Sequence, residues 1–260
     1  MSTLLKVEKI SVTFDGFKAI NNLSYSIEKS ELKAIIGPNG AGKTTFMDII
    51  TGQTKPNEGK VLFGKREVWL ESDQKYQTIW EENLLSKNES QIALLGIGRK
   101  FQRPTVFELK SVFENLTISL KKNRNPFNVL FQKISNEEYE KIEKILNEIN
   151  LDIEKNRVAG ELSHGQKQWL EIGMLLTQDP KLLLIDEPAA GMTVNERKKT
   201  VQILRKLSSD KSVIVVEHDM EFVKDLECEV TVLHEGKILA EGSIESVSSD
   251  KNVVEVYLGR

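Results

Sequence analysis

The stretch Gly37-Pro38-Asn39-Gly40-Ala41-Gly42-Lys43-Thr44-Thr45 decides the fold. It fits the pattern G-x-x-x-x-G-K-[ST], in which glycines let the backbone wrap closely around a phosphate and turn its N–H groups inward. Residues 32–36, just before it, form an apolar run suited to a buried strand, and residues 44–51, just after it, suit a helix. The pattern needs that setting, because the first amides of the helix then face the anion. Lys43 can reach the β- and γ-phosphates of a nucleotide, and the Thr44 hydroxyl can bind Mg²⁺.

The rest of the composition narrows the class. The chain has 260 residues and a formal net charge of −3, so no basic excess announces a nucleic-acid partner. A single cysteine, Cys228, excludes an internal disulfide and reads as an inert, half-buried thiol. Residues 1–14 mix Lys6, Glu8 and Lys9 with alternating apolar positions, which is a strand pattern and not a signal peptide. The apolar runs 182–185 and 213–216 are far too short to cross a bilayer, so membrane association is expected only through a partner.

Along the chain, residues 6–14 and 19–27 read as strands with a turn at Asp15-Gly16. Residues 60–63 read as another strand. Residues 66–92 are polar, carry Trp69 and Trp80, and read as a surface excursion with little core and some helix. Helical spacing recurs at 110–122 and at 136–151, where Ile142, Ile145, Leu146 and Ile149 share a face and Asn136 is placed to cap. Helices are also expected at 166–177 and 194–207, strands at 181–185 and 213–216, and a hairpin at 230–240. Strands alternating with helices imply a mostly parallel sheet. We expect one α/β domain over 1–260: a P-loop NTPase (RecA-like) core from about 1–98 and 178–260, with an N-terminal antiparallel β part and a helical insertion over about 99–177.

A second chemical element is Lys181-Leu182-Leu183-Leu184-Ile185-Asp186-Glu187. Four apolar residues deliver Asp186 to the carboxyl end of a strand, where ligands sit in such sheets. Asp186 would hold Mg²⁺, and Glu187 is placed to polarise an attacking water.

The third element, Leu162-Ser163-His164-Gly165-Gln166, is followed by a helix. Taken with 37–45 and Leu183-Leu184-Ile185-Asp186-Glu187-Pro188, it resembles the ATP-binding-cassette (ABC) ATPases over essentially the whole chain. The resemblance implies ATP and Mg²⁺ as ligands and implies that Ser163, Gly165 and Gln166 cap a nucleotide held by the phosphate loop of a second subunit. His164 departs from the family's glycine and puts an imidazole near that phosphate. By the same resemblance Phe14 stacks on adenine, with Phe17 a nearby competitor. Gln102 touches Mg²⁺ or water and relays the state of the site, and His218 contacts the γ-phosphate and positions Glu187. The segment after Pro188 ends in Thr193 where the family has aspartate.

Within the family, Gly96 to Glu108, Glu217-His218-Asp219 and the C-terminal residues 255–260 are similar to importer ATPases of the branched-chain amino acid and urea type, nearest to the D-type subunit of bacterial urea importers. That resemblance implies urea uptake, with a branched-chain amino acid importer subunit as the alternative. It also implies an E-type ATPase as partner in a heterodimer, two integral membrane permeases, a periplasmic binding protein acting indirectly, and a peripheral place on the cytoplasmic face of the inner membrane. A soluble, non-transport ABC ATPase is a rival, but no second cassette and no long coiled coil occurs. A switch GTPase is weaker still, since no N-K-x-D element is present. Residues 103–113 gather Pro104, Val106, Phe107, Leu109, Val112 and Phe113, read either as a docking edge for a membrane subunit or as local core.

Overall fold

The computed structural model describes residues 2–70, 75–100, 105–120 and 134–258. The chain opens with strands β1 (Thr3–Phe14) and β2 (Phe17–Glu28), joined at Asp15-Gly16. Both turn residues have positive φ, the geometry whose twist matches two antiparallel strands. β3 (Leu32–Ile36) then leads through 37–42 into helix α1 (Lys43–Thr51). β4 (Glu58–Leu70), β5 (Lys75–Asn83), α2 (Glu89–Leu94) and β6 (Ile97–Lys100) follow. Next come three helices, α3 (Val112–Ser119), α4 (Asn136–Glu148) and α5 (His164–Leu176). The chain then alternates again: β7 (Leu182–Asp186), α6 (Val194–Leu207), β8 (Ser212–Val216), α7 (Met220–Leu226) and β9 (Glu229–His234). β10 (Lys237–Gly242), α8 (Ile244–Ser249) and α9 (Lys251–Leu258) complete it.

Two sheets result. One is antiparallel, in the order β2-β1-β4-β5. The other runs β10-β9-β3-β8-β7-β6, parallel except for the edge strand β10. β7 and β8 are buried at every residue, as strands covered on both faces must be. Alternate residues serve opposite layers. Leu182 and Leu184 join α1 and the antiparallel sheet in one core, while Leu183 and Ile185 join α3, α4, α5 and α6 in another. A third core, under α7 to α9, contains Ala34, Ile36, Val230 and Val232.

The α/β expectation holds, with local corrections. The cap of α4 is Ser135 and not Asn136: the Glu138 amide donates to Ser135 Oγ, and the Ser135 amide donates to Glu138 Oε2. The strand expected at 60–63 continues to Leu70 and pairs with β5, so the first part of the 66–92 excursion is a β-ribbon. Its second part is not coreless. Leu84 and Ile92 are each 1% exposed and sit in the core beneath α1. β4 pairs with β1 only from Glu58 to Phe63, and beyond that it pairs with β5 alone. Replacing 67–78 by a short Gly-Ser turn is therefore expected to move the melting temperature by no more than about 4 °C, the effect of about 1 kcal/mol. Ile92→Ala is expected to cost about 2–5 kcal/mol. Thermal scans of the two variants check this; equal losses would show that the ribbon carries core packing.

Candidate nucleotide site

The phosphate loop is built by close backbone approach. A Cβ at Gly37 would lie 2.2 Å from the Leu233 carbonyl oxygen. At Gly42, with φ +99°, it would lie 2.7 Å from the Ala19 carbonyl oxygen. Only glycine fits at either place. Lys43 begins α1, and its Nζ donates to the carbonyl oxygens of Gly37 at 2.6 Å and Pro38 at 3.0 Å. Burial pulls its pKa down, with Glu187 and Asp186 opposing. The ammonium is thus held over the loop, beside the helix N-terminus that also favours an anion.

A cavity of about 320 Å³ lies over this loop. It gathers Asn39, Gly40, Ala41, Gly42, Lys43, Thr44 and Thr45 with Asp186, Glu187 and both Phe14 and Phe17. Gly37 and Pro38, expected among the binding residues, do not line it; they anchor Lys43 through their carbonyls. Phe14 and Phe17 face each other across the β1–β2 turn and are 48% and 65% exposed, so either ring is free to cover a flat ligand.

Asp186 ends β7 and is 3% exposed. Burial raises its pKa, and the Arg99 guanidinium, 3.6 Å away, counters that. Arg99 also bonds Asp48 on α1 at 2.5 Å, which ties β6 to α1 beneath the cavity. Glu187 has φ +45°, a left-handed backbone that costs a non-glycine residue about 1 kcal/mol or more and collects at functional sites. Its amide donates to the Val216 carbonyl at 2.9 Å, locking the end of β7 to the end of β8. His218 Nδ1 lies 3.4 Å from Glu187 Oε1, and the imidazole is largely exposed. A carboxylate beside an imidazole, at a cavity lined by the phosphate loop, can orient and polarise a water.

Glu217 was not singled out in the sequence. It is 1% exposed, and its two oxygens take three backbone donors: Ala189 on Oε1 at 2.9 Å, and His218 and Asp219 on Oε2 at 3.1 and 3.4 Å. Burial raises its pKa, while those amides oppose the rise. The available signal was a glutamate placed directly after an all-apolar strand. Elsewhere, burial pushes the Cys228 thiol up to about 12, so it stays a thiol at neutral pH.

Ser163, Gly165 and Gln166 do not line the cavity. They start α5, where the Gln166 amide donates to Ser163 Oγ at 3.2 Å and the Ser163 amide donates to Gln166 Oε1 at 3.0 Å. Gln166 Nε2 donates to Glu154 at 3.0 Å. His164 Nε2 lies 3.2 Å from Gln168 Nε2, and its ring lies against Gly191, which turns it toward the loop after β7. Gln102 and Pro104 lie outside the described residues. Of the apolar residues around them, Val112 is fully buried, Val106 and Phe113 pack half-buried on the core, and only Phe107 and Leu109 are exposed.

A phosphate loop between a parallel strand and a helix, a strand-end Asp-Glu pair and a separate antiparallel sheet bearing aromatics at the same cavity define a P-loop ATP-binding cassette. Comparison with known proteins agrees. The family described as ABC transporter matches residues 20–190. A probable branched-chain amino acid transport ATP-binding protein, LivG, of Methanocaldococcus jannaschii is 34% identical, covering 98% of this chain and 97% of that one. A high-affinity branched-chain amino acid transport ATP-binding protein, LivG, of Salmonella typhimurium is 31% identical, covering 98% of each. A crystal structure of a nucleotide-free ATP-binding cassette from an ABC transporter superposes with a TM-score of 0.80 at 33% identity, over 99% of this chain and 100% of that one. The chain belongs to the ABC transporter family, and it is an ATPase coupled to transport.

Proposed function

We propose that the chain is the ATP-hydrolysing subunit of an importer for branched-chain amino acids. The observation that carries this is similarity along nearly the full length to LivG proteins named for that transport. The urea reading rested on short stretches such as Gly96 to Glu108. The full-length relatives favour the alternative, and we adopt it.

In this reading Lys43 and the amides of 39–45 hold the nucleotide phosphates, and Phe14, with Phe17 beside it, covers the adenine. Mg²⁺ fits the donors at hand: the Thr44 hydroxyl and Asp186 carboxylate line one cavity, and hard oxygen ligands suit a hard cation. Gln102 would add a third oxygen. The bound ion would offset phosphate charge. Glu187 acts as base on water and His218 holds it in place.

Ser163, Gly165 and Gln166 stand apart from the cavity, which supports a role toward the nucleotide of a second cassette. We take that cassette to be a separate ATP-binding subunit, with two membrane permeases and a binding protein completing the importer. No helix among the described residues is long and apolar enough to cross a membrane, so attachment falls to the permeases. Within 105–113, exposed Phe107 and Leu109 are apolar side chains open to them.

The test is uptake by vesicles that hold this chain with the second ATP-binding subunit, the two permeases and the binding protein of the importer. ATP-dependent entry of radiolabelled leucine, isoleucine or valine is expected. Entry of urea without these amino acids would overturn the substrate reading, and entry that ignores ATP would overturn the function.

A further inference from the structure

The donors at the start of α5 already hold an anion. Ser163 Oγ donates to Glu196 Oε1 at 2.6 Å. A Cβ at Gly165 would lie 2.7 Å from that same oxygen, so glycine is what lets the carboxylate seat against the helix end. Burial works against a charge there. Hydrogen bonds from Ser163, from Thr193 and from the Gly165 amide outweigh it and hold the Glu196 pKa below the usual carboxylate range.

Glu196 also has a plain structural duty. It is the third residue of α6, and its Oε2 accepts from the Thr193 amide at 2.9 Å and the Thr193 hydroxyl at 2.8 Å, a reciprocal helix cap. That duty uses only Oε2. It leaves the bond from Ser163 to Oε1 unexplained, because a cap on α6 needs nothing from α5.

We propose that Glu196 is a resident stand-in for phosphate, its Oε1 occupying the donors of Ser163 and Gly165 until a partner cassette's nucleotide displaces it. The inference rests on the reading that these residues face a second cassette's nucleotide. A carboxylate oxygen and a phosphate oxygen compete for the same hydroxyl and amide, and two anions cannot share them without repulsion. Glu196 therefore sets how much nucleotide is needed to close the pair, and it keeps the helix end satisfied while the pair is open.

Glu196→Gln keeps the cap, since glutamine serves equally in it, and removes the charge. In the assembled importer it is expected to lower the ATP concentration for half-maximal hydrolysis about threefold to tenfold, the difference between a charge-assisted and a neutral hydrogen bond. ATP affinity of the isolated chain should stay unchanged, because Glu196 does not line the cavity over Lys43. Damage to the fold would move activity the other way. Glu196→Ala, which also loses the cap, should shift the half-maximal concentration in the same direction at a lower melting temperature. An unchanged or raised half-maximal concentration in both variants overturns the proposal. Ser163→Ala separates it from the reading beneath it. If Ser163→Ala leaves hydrolysis by the importer intact, the partner-nucleotide reading is wrong. If it impairs hydrolysis while both Glu196 variants behave as the parent, only the stand-in role falls.

Discussion

Glu187→Gln is expected to cut ATP turnover about 10²- to 10⁴-fold, the range for losing a positioned general base. ATP affinity should change by less than about twofold, because the phosphate-binding amides and Lys43 are untouched. Three features make this sharp. Glu187 lines the same cavity as the phosphate loop, its backbone is pinned by the Val216 carbonyl, and its carboxylate faces His218. Glutamine matches the shape and inherits the same left-handed backbone, so the comparison isolates the charge. Single-turnover hydrolysis beside nucleotide titration decides it. Turnover near the parent's would take the base role from Glu187.

Lys43→Ala is expected to act on binding itself. Losing the ammonium removes charge-assisted bonds to phosphate, each worth about 1.5–3 kcal/mol, so ATP affinity should fall about 10- to 100-fold. The ammonium also holds the Gly37 and Pro38 carbonyls, so the loop loses its internal clasp. Lys43→Arg tells these effects apart: it restores the charge without restoring a compact donor at that spot. Calorimetric titration is the measurement. Unchanged ATP affinity in Lys43→Ala would mean that nucleotide binds elsewhere.

Much of this site was legible because its rules are local. The phosphate loop needs glycines at fixed offsets, and an apolar strand ending in Asp186-Glu187 announces itself. β6 was missed because Ile97-Gly98-Arg99-Lys100 has no apolar run; it is a strand because it pairs with β7, from Ile97 with Leu182 to Lys100 with Ile185. The ribbon of β4 and β5 was hidden by its charges, although Val68, Trp69, Tyr76, Thr78, Ile79 and Trp80 are strand formers. α7 and α8 have only 7 and 6 residues, too few to show a period. Contacts across long separations left no trace in the sequence at all. Glu217 reaches Ala189 across 28 positions and Ser163 reaches Glu196 across 33, and only the fold reveals either.

Glu217 has a thermodynamic consequence for catalysis. One carboxylate fastens the segment after Glu187, through Ala189, to the segment that carries His218. Neither loop can rearrange without stripping a buried charge of its donors, which is expensive in a dry interior. The backbones that carry Glu187 and His218 therefore behave as one rigid unit whose relative orientation is set when the chain folds. The entropy of aligning them is spent once per lifetime of the molecule rather than once per turnover.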